Sequence, residues 1–303
     1  MERLDRAEER LENVRSVEPI LSALRTISMG SWQSALRQVR QVKRYGRVMG
    51  RIVPRLLAHL PDKKGWKGLF PDRKRGEKQA SRRIRTLVIG SERGLCGEYN
   101  SVIVRKLHAY LEEQEQVKSQ IDVAVLGSRL ESRLQRAGIK TDWSDRLSLS
   151  KLPTYDLAQR LVHGWLDQFE REKIDAVDVV YNAYQTGGGY EPMIVRLIPP
   201  ESDAYRQKDE PLWPPTIVET DPLPLYLQLA QQWIILRLYE ILLSAAVAVH
   251  SNRYQLMESA TQNAEELIEE LSVTIQRARQ EAITREMQEL AAGAGLIGSD
   301  REE

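Results

Sequence analysis

Residues Met257 to Ala278 read MESATQNAEELIEELSVTIQRA, and within them Met257, Ala260, Ala264, Leu267, Leu271, Thr274 and Ala278 recur at alternating steps of three and four. A seven-residue apolar repeat keeps one stripe of a helix facing a partner, the pattern of a left-handed coiled coil. No proline or glycine interrupts the chain from Leu225 to Ala291, so one helix of roughly 67 residues and about 100 Å is expected. A compact chain of 303 residues has a radius of gyration of only about 19 Å. Such a helix has to extend beyond a globule, and its apolar stripe calls for a partner.

The other end of the chain supplies one. Leu4, Ala7, Leu11, Val14, Val17, Leu21 and Leu24, then Trp32, Ala35, Val39, Val42, Met49, Val53, Leu56 and Leu60, trace a second helical seam, about 85 Å long if unbroken. Pro19 removes a backbone donor and crowds the carbonyl of Arg15, which predicts a kink. The stretch Ile27 to Ser31, with its Ser, Met and Gly, predicts a bend or a close helix contact. Small residues at Ala260, Ala264 and Ala278 allow a facing helix to approach closely, so an antiparallel pairing of the two ends is the economical arrangement. The alternatives are that each helix folds back on the middle domain or pairs in a homodimer.

Between the seams the period changes. Ile84–Ile89, Ile121–Leu126 and Val177–Tyr181 are short β-branched runs, and Val102–Glu115, Ser128–Ala137 and Leu157–Lys173 are helical. Alternating strands and helices imply an α/β domain with a mostly parallel sheet. The division is therefore 1–60 N-terminal coiled-coil helix, 61–83 basic linker, 84–198 α/β domain, 199–224 proline-rich return segment, 225–297 C-terminal coiled-coil helix and 298–303 polar tail.

Composition narrows the function classes. Lys plus Arg at 44 against Asp plus Glu at 43 leaves a net charge of +1, so no global field attracts nucleic acid or an anionic bilayer. The single Cys96 excludes an intrachain disulfide, a redox pair and a multi-thiolate zinc site, which favours a reducing compartment. The charged start MERLDRAEER has no secretory apolar run. The most apolar window, Leu236–Val249, is broken by Arg237 and Glu240 and falls short of a bilayer span. A cytosolic chain without a transmembrane segment is the expectation.

No phosphate-binding lysine loop or dinucleotide glycine fingerprint occurs, and His59, His108, His163 and His250 stand far apart without metal-ligand spacing. No cofactor, metal or catalytic group is assigned. Gly187-Gly188-Gly189 reads as a flexible turn, and Glu92 and Glu98 as carboxylates without an assignable role. Cys96 follows a strand end with Arg93 nearby but no histidine base in sequence, which reads as a buried cysteine in a tight turn rather than a nucleophile.

Ser91-Glu92-Arg93-Gly94-Leu95-Cys96-Gly97 followed by Asn100 resembles the signature turn of the γ subunit of F-type ATP synthases. A longer match lies on the C-terminal helix: His250, Arg253, Met257, Ala260-Thr261 and Asn263-Ala264, then Ala278-Arg279-Gln280, Ile283-Thr284, Glu286 and Glu289. Arg10 to Ala23 is similar to the family's N-terminal helix, and the resemblance in order covers nearly the whole chain. It implies an antiparallel coiled coil of N- and C-terminal helices with a Rossmann-like middle domain at its base. The coil stands in a ring of catalytic and non-catalytic nucleotide-binding subunits, while the base meets an epsilon subunit and the membrane rotor ring. Such a subunit has no active site of its own, lies peripheral to the energy-coupling membrane, here the cytoplasmic face of a prokaryotic plasma membrane, and couples proton or sodium ion flow to ATP turnover by rotating.

The resemblance implies a ring-contact role for Arg279, Gln280, Thr284 and Glu286, and a signature-turn role for Arg93, Gly94, Leu95, Cys96, Gly97 and Asn100. The N-terminal helix departs from the family: Pro19 and Ser22 replace two lysines, and Val249 replaces the acidic residue before His250. A divergent ring explains this. A weakly coupling paralogue or a non-rotating coiled-coil scaffold is the alternative function, and a degenerate nucleotide-dependent enzyme a third.

Overall fold

The computed structural model describes residues 2–57, 82–147, 152–200 and 217–293. Most of the basic linker, residues 201–216 of the proline-rich segment, the polar tail and His59 lie outside them. The elements are α1 (Glu2–Leu57), β1 (Arg83–Ile89), α2 (Tyr99–Gln116), β2 (Gln120–Leu126), α3 (Ser128–Arg136), β3 (Trp143–Asp145), α4 (Tyr155–Glu170), β4 (Ala176–Tyr184), β5 (Tyr190–Ile198) and α5 (Pro222–Gly293). Two compact units result, Met1–Ile27 with Tyr254–Glu303, and Ser28–Arg253. Both long helices contribute to each.

In the larger unit the β-branched runs form a five-stranded sheet of order β3-β2-β1-β4-β5. β1 pairs in parallel with β2 and β4, and β2 with β3, while β5 returns antiparallel along β4. Side chains of successive strand residues point to opposite faces, so a strand buried on both reads as an unbroken apolar run. Leu87 and Ile89 of β1, with Val177 and Val179 of β4, pack against α4 and against Ile234, Leu238, Ile241, Leu242 and Ala245 of α5. Val88, Val125 and Val180 pack from the other face against Tyr99, Ile103 and Leu107 of α2 and Leu130 and Leu134 of α3. α4 begins where Thr154 accepts the Leu157 amide, an N-cap.

β3 and β5 are additions to the expected strands. The Gly187–Gly189 turn joins β4 to β5, with Gln185 N donating to Gly189 O at 2.8 Å. α5 starts three residues earlier than its first uninterrupted run. Pro222 and Pro224 fall in its first turn, where the backbone amides have no intrahelical acceptor and a proline loses nothing. Asp221 Oδ1 takes the Leu223 amide instead. α5 also contains a window long and apolar enough by composition to cross a membrane, contrary to the expectation from Leu236–Val249, but 67% of it is buried within the protein. Its apolar surface is spent on the sheet. In the same unit α1 runs antiparallel to α5: Tyr239 Oη donates to Gln38 Oε1, Gly46 lies against Leu236 and Leu56 packs with Tyr226, while Ala35 and Met49 are buried.

In the smaller unit the two ends pair antiparallel, as Arg25–Glu258 and Arg279–Glu8 ion pairs require. Met257, Thr261, Ala264 and Ile275 are buried in its seam. Two expected seam residues are displaced. Thr274 is exposed and Ile275 takes its place, and Val17 is 47% exposed while Glu18 is half-buried. A straight helix drifts by about 20° per heptad against a strict seven-residue repeat, so an occasional extra step of four restores the facing stripe. Pro19 does not end α1. The carbonyl it releases belongs to Arg15, and both residues are exposed, so that carbonyl is open to solvent. At Ile27–Ser31 the buried residue is Ser28, whereas a Cβ on Gly30 would meet nothing within 4 Å.

Candidate functional site

The signature turn leaves β1 at the point where the strand order reverses. Gly90 is forced there by packing: a Cβ would lie 2.3 Å from Leu130 Cβ and 2.9 Å from Asn100 Oδ1. Asn100, on the first turn of α2, ties the turn down twice. Its Oδ1 accepts the Ser91 amide at 3.0 Å and its Nδ2 donates to Ser91 Oγ at 2.8 Å. Ser91 Oγ sits 3.3 Å from Cys96 Sγ, and the Cys96 carbonyl accepts from Asn252 Nδ2 of α5 at 2.7 Å. Cys96 is buried, with no histidine among its hydrogen-bond partners, which is a structural thiol.

Leu95 takes a φ of 58° with its side chain exposed, and Gly97 a φ of 51°. Gly94 has open space where a Cβ would be, so of the two glycines flanking Leu95 and Cys96 only Gly97 is required by conformation. Arg93 is exposed at the surface of the turn. Glu92, to which sequence assigned no role, is a central clamp. Its carboxylate accepts the amides of Ser128 at 3.0 Å and Leu147 at 3.1 Å, and the Ser128 hydroxyl at 2.8 Å. It binds the ends of β1, β2 and β3 together, and no local pattern announces that, because its partners lie 36 and 55 residues away.

α5 lies over the same strand ends. Tyr99 Oη donates to Ala245 O at 3.1 Å, and burial pushes that phenol well above its ordinary range. His250 and Arg253 come from one turn of α5. Burial, reinforced by the positive charges of Arg253 and Arg93, lowers the His250 imidazole to about 4, so it is neutral at pH 7. Burial also lowers the Arg253 guanidinium from its ordinary value.

The four residues of the last part of α5 are placed differently. Arg279, Gln280, Thr284 and Glu286 are all exposed. Arg279 donates to Glu8 Oε1 at 2.6 Å and Thr284 Oγ1 to its own helix at Gln280 O. On the same segment Ile283, Met287 and Leu290 are exposed, at 57–68%. Sequence had not singled out Met287 and Leu290, although their spacing with Ile283 marks one helical face. The signature turn and this segment are thus separate features, the first internal to the larger unit and the second a displayed surface of the smaller.

A doubly covered sheet with its own helix over the strand ends, in a chain whose two ends pair as antiparallel helices, defines a protein of the α/β class with a terminal coiled coil. Comparison with known proteins agrees. A family model described as ATP synthase matches residues 3–295, and the chain belongs to that family. Its relatives include the ATP synthase gamma chains of Rubrobacter xylanophilus, 28% identical with 95% of this chain and 96% of the relative covered, and of Geobacter metallireducens, 28% identical with 98% and 99% covered. Among solved structures, a chain of the Euglena gracilis mitochondrial ATP synthase OSCP/F1/c-ring assembly shares the fold with a TM-score of 0.61 at 17% identity, covering 99% of this chain and 98% of that one. A chain from the Tetrahymena thermophila central stalk and c-ring gives 0.54 at 17%, with 80% and 99% covered.

Proposed function

We propose that this chain is the central-stalk gamma subunit of a rotary ATP synthase, a shaft that couples proton or sodium ion translocation to ATP synthesis or hydrolysis by turning within the catalytic ring. The observation that carries this reading is the smaller unit, where the chain ends pair antiparallel and leave Arg279, Gln280, Thr284 and Glu286 on the surface. A rotor drives three sites through different states only if its contacts differ from one to the next. Exposed donors and a carboxylate beside an apolar face supply such contacts. The Arg279–Glu8 pair is exposed on both sides and worth only about 0.2–1 kcal/mol, so Arg279 is able to exchange Glu8 for a partner on the ring.

On this reading the chain contributes no active site. Its partners are the catalytic and non-catalytic subunits of the ring, an epsilon subunit and the membrane rotor ring, at the cytoplasmic face of a prokaryotic plasma membrane. The family resemblance and the gamma-chain relatives support this assignment. Reconstituting the complex in vesicles tests it: replacing Arg279, Gln280, Thr284 and Glu286 together by alanine is expected to lower ion-driven ATP synthesis by about tenfold or more, roughly 1.4 kcal/mol of lost coupling. Unchanged synthesis would remove these residues from the contact.

A further inference from the structure

Sheets of this topology bind ligands beyond the C-terminal ends of the strands, where the strand order reverses. Here the reversal lies at β1, between β2 and β4. α5 covers the crevice and reduces it to a cavity of about 50 Å³, lined by Gly90–Arg93 on one side and by Ala246, His250 and Arg253 on the other. One water needs about 10–15 Å³ of such space, so the cavity has room for a few heavy atoms and not for a nucleoside.

The lining is cationic without a counter-ion. Arg253 is only 8% exposed, and neither its Nε nor His250 Nδ1 has a hydrogen-bond partner. No ion pair neutralises Arg253 among the described residues. Arg93, His250 and Arg253 are close enough for their charges to act on one another. The single carboxylate in the lining, Glu92, has both oxygens committed to Ser128 and Leu147. The two ionisable neighbours of Arg253 other than Arg93 and His250 are the Cys96 thiol and the Tyr99 phenol, each already bonded within the turn or to α5. A buried guanidinium left unpaired is costly, and natural proteins pair such groups.

We propose that this cavity is a binding site for a small free oxyanion of the size of inorganic phosphate, held by Arg253 and His250 with Arg93 at its edge. The guanidinium fork matches two oxygens of a tetrahedral anion, and the imidazole supplies a further donor. The bound anion completes the junction between the signature turn and α5, which explains why cationic groups are gathered beneath a turn whose other polar groups are already satisfied. The site is independent of the ring contacts.

The test titrates inorganic phosphate into the full-length protein against chloride at matched ionic strength, reading thermal stability and the imidazole resonances by NMR, with His250 assigned through His250→Gln. The midpoint of unfolding is expected to rise with the logarithm of phosphate once phosphate exceeds its dissociation constant, and the His250 titration to move up from about 4. Sulfate is expected to compete and AMP, whose phosphate carries a nucleoside, to bind at least about tenfold more weakly. Arg253→Met is expected to weaken phosphate by at least about tenfold while matching or exceeding the parent's stability in chloride. Should that variant fail to fold, the wild-type imidazole titration decides alone. No response of His250 to phosphate, or AMP binding as tightly as phosphate, overturns the proposal.

Discussion

At the end of β1 each polar group of the signature turn that faces inward has a fixed partner, Ser91 with Asn100, Glu92 with Ser128 and Leu147, the Cys96 carbonyl with Asn252. Along α5 beyond Ala278 the reverse holds: every residue from Arg279 to Leu290 is exposed, and the bonds that Arg279 and Thr284 make are either to a single exposed carboxylate or within their own helix turn. Both stretches carry the resemblance to the same family, yet for opposite physical reasons. The first specifies how strand ends and a crossing helix are joined, and the second leaves its side chains open to solvent. Substitutions at the turn are therefore expected to register as stability, and substitutions on the helix as activity with stability preserved.

Gly90→Ala puts that contrast under most strain. A Cβ 2.3 Å from Leu130 forces β1 and α3 apart, and a loss of about 3 kcal/mol or more is expected in chemical denaturation. The His250 imidazole gives a pH signature of nearly that size. Its folded value near 4 lies below the ordinary imidazole value of 6.5, so the unfolded chain binds the extra proton between those limits. Stability is complete above about pH 6.5 and is lost as pH falls from there through 4, by about 3 kcal/mol in phosphate-free buffer. His250→Gln should flatten that part of the profile, and an unchanged profile would mean the imidazole is solvated.

Asn100→Ala leaves the buried amide and hydroxyl of Ser91 without their partner, and about 2 kcal/mol of destabilisation is expected. Arg279→Ala should cost under about 1 kcal/mol, and a double-mutant cycle with Glu8→Ala about 0.2–1 kcal/mol. Gly94→Ala, with open space around it, should change stability by under about 0.5 kcal/mol. If Gly94→Ala were as damaging as Gly90→Ala, the turn would be reading something other than packing.

The two regions were also unequally legible in sequence. Both long helices, the strands β1, β2 and β4 and the order of the elements followed from periodicity, because each is long or continuously apolar. β3 is three residues long, too short to show a period. β5 carries Pro192 within a run that is half-buried along much of its length, although two β-rich runs joined by Gly187–Gly189 had the form of a hairpin. The seam of the smaller unit was read one residue off at Thr274 and Val17, where strict heptads and a real helix diverge. Glu92 was beyond reach because its partners lie 36 and 55 residues away, and the grouping of Arg93, His250 and Arg253 because it depends on α5 lying across the strand ends. The exposed residues of α5 were found only through family likeness, because composition alone describes a solvated helix face.

The central claim is rotation, and observing it on single complexes is the most direct test. The chain is assembled with its catalytic ring, the ring is fixed to a surface and a probe is attached at an exposed position of the α/β unit. ATP is expected to drive stepwise rotation in one direction, slowed or stalled when Arg279, Gln280, Thr284 and Glu286 are replaced together. A ring that hydrolyses ATP while this chain, bound within it, stays still would contradict the account.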